Sequence, residues 1–90
     1  MPYIKQSQRE NYDEEIEKIV SRCPNEGDLN YIFTKLLLEV VGQVGESYAV
    51  YNKIIGVLEC CKLEMYRRHI ASYEETKIQQ NGDVYASTGK

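Results

Sequence analysis

Hydrophobic positions recur along this chain at helical rather than strand spacing. Ile16, Ile19, Val20 and Cys23 follow one another at i, i+3, i+4, i+7, which predicts a short first helix over about residues 12–22. Asn11 followed by Glu14 is compatible with a capping box, and the acidic run Asp13, Glu14, Glu15, Glu17 suits the positive end of a helix dipole. Pro24 stops that helix and "PNEGD" makes a loop, whereas the ten polar residues before it read as an arm without period.

A second helix is expected over about residues 28–43, with Asp28 as its N-cap. Leu29, Ile32, Phe33, Leu36, Leu37, Val40, Val41 and Val44 give it a broad apolar face, so it is the element expected to be most buried. "GQVG" at residues 42–45 ends it. Ser47 then caps a third helix, with Tyr51, Ile54, Ile55, Leu58, Cys61 and Met65 on or near one side and no proline after it.

An unbroken third helix reaching the Asn81-Gly82 stop is about 34 residues and about 50 Å long. A chain of 90 residues cannot cover such a rod, so its far part projects, breaks, or packs on another copy. Ser72 with Glu75 resembles a second capping box, which makes a break near residue 72 and a short fourth helix the alternative. The expectation is an all-α chain of three to four helices with a long C-terminal helix: a single helical domain over residues 1–85, a flexible tail over 86–90, and assembly into a homo-oligomer.

Composition narrows the function classes. A formal charge of −3 and a sequence pI near 5.1 argue against unspecific duplex binding, which needs many Lys and Arg contacts to phosphate. No apolar run approaches the roughly 18 residues of a membrane span. Three cysteines, two of them adjacent, are not a disulfide framework, so a reducing cytoplasm is the expected setting. Eight of the nine aromatic residues are tyrosine, which suits partly wet interfaces.

The stretch "GVLECCKLEMYRRH" at residues 56–69 gathers most of the chemistry-bearing side chains. Cys60 and Cys61 point about 100° apart on a helix and His69 lies more than two turns away, so no metal centre is expected and the cysteines read as small packing residues. Gly56 would allow another helix to approach closely. Glu39, Glu59 and Glu64 would be the acids of a metal-dependent nucleotide hydrolase, but Glu59 and Glu64 are about 140° apart on the helix and do not form the i, i+3 comb such enzymes use. No catalytic residue, metal ligand or cofactor is therefore assigned.

What remains is tyrosine with cations. Tyr48, Tyr51 and Asn52 open the third helix, and Tyr66, Arg67 and Arg68 follow further along it. Tyrosine rings stack on bases, and Arg holds phosphate in a two-pronged fork. With Asp83, these residues are the candidate ligand-binding set. The function expected from them is non-enzymatic binding of a nucleotide-derived signalling molecule, and the alternative is a protein-interaction module that docks on a host protein.

Taken together, "MPYIKQ", "LNYIFTKLL", "YNKIIGVLE", "KLEMYRR" and "YEETKIQQNGDVY" resemble an uncharacterised family of short proteins from bacteria and their phages, over nearly all of residues 1–85. The resemblance implies a small helical, intracellular and often phage-borne protein, and carries no catalytic residue over. In relatives a proline is expected before the tyrosine of "ASYEE", which supports the alternative of a break near Ser72. With the phage association, the concrete form of the binding function is a sponge for a cyclic oligonucleotide or a cyclic ADP-ribose variant.

Overall fold

A computed structural model describes residues 2–85. Helix α1 spans Gln6–Val20, α2 spans Glu26–Val44 and α3 spans Tyr48–Met65. A π-helical turn, Tyr66–Ile70, leads without interruption into α4, Ala71–Asn81, so α3, the turn and α4 form one rod of 34 residues. There is no strand among the described residues.

Helix α1 starts six residues earlier than the apolar period predicts. Residues 6–10, expected as part of an arm, are helical, and the Lys5 backbone N–H donates to Gln8 Oε1 at 3.2 Å. Polar residues such as Gln, Arg and Glu are good helix formers without any period, which explains the difference. At the other end Cys23 is not on α1: it lies beyond the helix at φ 53°, in the left-handed region, where its N–H closes on the Val20 carbonyl at 2.9 Å. Pro24 follows and stops the chain from continuing the helix.

The cap of α2 is Asn25, not Asp28. Asn25 Oδ1 accepts from the Asp28 N–H at 2.8 Å, and Asp28 Oδ2 accepts from the Asn25 N–H at 3.1 Å, a reciprocal capping box one turn ahead of the expected start. Ser47 caps α3 as expected, its Oγ accepting from the Val50 N–H at 3.1 Å. Gly45 at φ 106° and Gly82 at φ 90° end α2 and α4, in conformations that side-chain-bearing residues rarely adopt.

The rod does not break at Ser72. Instead an i→i+5 turn is inserted just before it, and the helix runs through Ser72 to Asn81. Among the described residues helix α4 packs on no other element than that turn.

Helices α2 and α3 pack side by side as an antiparallel hairpin, with Leu37, Val41, Val50 and Ile54 half-buried. Ile19 at the end of α1 and Ile32 of α2 line a common groove with Pro24 and Tyr31. Contrary to the expected deep burial of α2, no described residue of the single chain is buried: Phe33, Leu36 and Leu38 are each more than half exposed. The chain has a radius of gyration of 17.9 Å and extends 52 × 34 × 30 Å. A compact chain of this length would have a radius near 12 Å.

Candidate functional site

The π-helical turn Tyr66–Ile70 carries the densest group of binding side chains. Such a turn accommodates one extra residue in an α-helix and re-aims what lies on it, and isolated π turns are frequent at functional sites. Here it presents Tyr66, Arg67, Arg68 and His69 consecutively, all exposed.

Glu64, one of the few half-buried side chains, sits at the entrance to the turn. Its Oε1 accepts from Tyr3 Oη at 3.1 Å and from Arg67 Nη2 at 2.5 Å. Arg67 is thereby held in one orientation, and its remaining N–H groups stay available, since a guanidinium has five. Arg68 forms no ion pair with any described residue. On the other side, Tyr66 Oη donates to Glu74 Oε1 at 3.4 Å, spanning the π turn.

Two open grooves meet at Tyr66. One, of about 500 Å³, is lined by Cys60, Leu63, Glu64, Tyr66 and Arg67. The other, of about 440 Å³, runs along α4 to Tyr85, with Tyr66, Lys77, Asn81 and Asp83 among its other walls. Lys77 also lies over the Tyr73 ring, 5.5 Å from its centre. Asp83 is committed to a local turn, its Oδ1 accepting from the Tyr85 N–H at 2.9 Å.

The candidate residues thus divide into two groups. Tyr66, Arg67, Arg68 and Asp83 lie around the turn, whereas Tyr48, Tyr51 and Asn52 lie at the start of α3. From Tyr48 to Arg67 is about 28 Å along the helix, so one chain does not bring the two groups together. Tyr51 is also occupied, its hydroxyl donating to Glu46 Oε2 at 2.6 Å. That hydrogen bond, more than partial burial and the nearby charge, raises the Tyr51 phenol above its usual pKa.

Sequence reasoning did not point to Tyr3, Glu74 or Lys77. Tyr3 meets Glu64 across 61 positions, for which no local spacing is a signal. Tyr73 and Lys77 are four apart on α4, and that spacing could have found the pair.

The acids of the hydrolase alternative have local partners instead. Glu39 pairs with Lys35 at 3.0 Å and Glu59 with Lys62 at 3.1 Å, while Glu64 holds Arg67. Among the described residues no three His, Cys, Asp or Glu side chains gather as a metal site would need, and no hydroxyl or thiol is hydrogen-bonded to His69. All three cysteines are free and exposed in the single chain. Among the described residues no helix is long and apolar enough to cross a membrane.

Among known families, the one described as a domain of unknown function (DUF6899) matches residues 1–84. No curated protein and no solved structure matches the chain.

Proposed function

We propose that this chain, which belongs to the family of domains of unknown function DUF6899, is a non-enzymatic binding protein that works as a homo-oligomer and takes up a nucleotide-derived anion. The observation that carries this reading is the π-helical turn, on which Tyr66 stands between two open grooves, Arg67 lines one of them and Arg68 follows, exposed and without an ion pair among the described residues. Arg68 and the unengaged edge of Arg67 would hold phosphate, Tyr66 would stack on a base, and Lys77 would add a second cation along the groove.

Because Tyr48, Tyr51 and Asn52 lie at the far end of α3, they complete such a site only from a neighbouring copy. The ligand class this chemistry fits is a cyclic oligonucleotide or a cyclic ADP-ribose variant, a ring with bases to stack and phosphates to hold. In this reading the protein is a phage-encoded sponge that lowers the free concentration of an immune signal in the host cytoplasm.

Calorimetric titration with a panel of cyclic nucleotides and ADP-ribose derivatives tests it. A ligand bound unaltered at fixed stoichiometry is expected, with affinity falling at least tenfold in the Arg67→Ala/Arg68→Ala double variant, since charge-assisted hydrogen bonds contribute about 1.5–3 kcal/mol each. Normal binding by that variant removes the site assignment, and no binding across the panel removes the ligand class.

A second reading, a module that docks on a host protein, is favoured by one observation: large apolar side chains of α2 and α3 stand uncovered on the single chain. It predicts capture of a defined host protein without any nucleotide.

A further inference from the structure

We infer that the open apolar groove between α2 and α3 is closed by the same groove of a second copy of this chain, so that two α2–α3 hairpins build one four-helix core. The groove is walled by Leu37, Val40 and Val44 from α2 and by Val50, Ile54 and Val57 from α3, with Lys53 on its rim. Val44 is 66% and Val57 62% exposed in the single chain. Helix α1 approaches the hairpin at Ile19 and Ile32, away from these residues.

The size of the uncovered surface selects the occupant. The chain exposes 8268 Å², whereas a compact chain of its mass, 10.4 kDa, would expose about 5,400 Å². The difference, roughly 2,900 Å² per chain or roughly 5,800 Å² per pair, takes in the projecting α4 as well as the groove, and leaves room for the roughly 2,000–5,000 Å² in total that permanent homodimers bury. A nucleotide-sized ligand cannot cover it.

Charge and shape point the same way. No carboxylate lines the groove and its single cation stands on the rim, so an acidic or basic partner would find nothing to pair with. A second copy needs only apolar against apolar, as a self-complementary two-fold contact requires, while the Lys53 stem covers apolar surface and its ammonium stays in water. The two helices are nearly equal, at 19 and 18 residues, and are joined by only three residues, the geometry of half a four-helix bundle.

This inference deepens the assembly in the functional reading but not its ligand: an intact dimer that binds no nucleotide would overturn only the ligand. The test is sedimentation equilibrium with circular dichroism on the full chain. The wild-type chain is expected to sediment as a dimer or an even multiple, with a urea midpoint that rises with protein concentration because folding and pairing are coupled.

Val57→Asp should lower the mass to that of one chain, or lower the midpoint steeply. Ile55→Asp, an equally exposed β-branched position (63%) roughly on the opposite side of α3, should leave mass and midpoint near wild type. A monomer with full helical signal and a concentration-independent midpoint overturns the inference. So does an assembly indifferent to Val57→Asp, or equal loss in the two variants.

Discussion

Tyr3 and Glu64 lie 61 positions apart in sequence and are joined by a 3.1 Å hydrogen bond, which ties the N-terminal segment to the middle of the C-terminal rod. The same Glu64 oxygen holds Arg67, so the N-terminal segment and the candidate anion site share one acceptor. Replacing Tyr3 by Phe removes the donor and leaves Glu64 to Arg67 alone. The expected cost is about 0.5–1 kcal/mol, the net worth of an ordinary hydrogen bond. Hydrogen exchange should quicken at residues 2–8 and stay unchanged in α2; exchange that quickens throughout would mean that Tyr3 supports the fold as a whole.

Gly56 stands in the middle of α3, where a Cβ built on it would meet nothing within 4 Å. Its place in the chain suggests a close helix approach, but the structure supplies no such neighbour, and Val57 of the proposed dimer groove points about 100° away from it. Gly56→Ala should therefore raise stability by about 0.5–1 kcal/mol through the better helix propensity of Ala. A lower melting temperature would place another copy against this side of α3 as well.

Cys23 is the only described non-glycine residue in the left-handed region, at φ 53° directly after α1. Cys23→Gly relieves that conformation, and Cys23→Val sharpens it because a β-branched side chain is disfavoured there. The expected order of thermal stability is Gly above Cys above Val, read from melting curves. Equal melting temperatures for all three would show that the turn before Pro24 does not hold this conformation in solution.

These local features show which parts of the molecule could be read from residue order. The long rod, the Ser47 cap and the Gly82 stop follow from spacing and capping rules that act within one helical turn. The start of α1 does not, because residues 6–10 form a helix through propensity alone and carry no apolar stripe. Asp28 is a good cap by type, but Asn25 reaches the same backbone groups one turn earlier and Asp28 answers it as the second half of the capping box. The site was partly readable: Tyr66, Arg67 and Arg68 are consecutive in sequence and all lie on the one π turn. Its supports were not, since the π turn has no composition signature and the Tyr3–Glu64 contact depends on how the whole chain folds back.

Tyr51 gives a pH signature. Its hydroxyl donates to Glu46, so the folded chain favours the neutral phenol and the pKa lies above 10.0. A group whose folded pKa is raised contributes stability that is fully present below its unfolded pKa and is lost as pH rises through the folded value. The contribution is thus intact at neutral pH and fades above about pH 10. The difference between ultraviolet titrations of the wild-type chain and of Tyr51→Phe isolates the Tyr51 phenolate, whose step should lie above 10.0. Glu46→Gln should shift the step towards ordinary values. A difference curve centred at or below 10.0 would show that Glu46 does not hold the Tyr51 hydroxyl in solution.

The π-helical turn separates a structural role from a binding role. It holds one residue more than an α-helical path needs, and it is bridged by the bond from Tyr66 to Glu74. Deleting His69 should let the rod close into continuous α-helix with α4 in nearly its present phase, since five π-helical residues and four α-helical ones each sweep roughly one turn. Helical content and oligomeric mass should hold, because α4 packs on no other element and the proposed dimer groove lies on α2 and α3. Lys77 and Asp83 would stay near Tyr66, but Arg67 and Arg68 would lose the aim that the wider turn gives them, so affinity for the nucleotide-derived anion should fall at least tenfold. The same loss without deletion is expected from Lys77→Ala only in part, since Arg67 and Arg68 stay in place. If the deletion leaves binding intact, the anion does not depend on the aim the π turn gives Arg67 and Arg68; if it melts the rod, the extra residue serves the fold rather than the site.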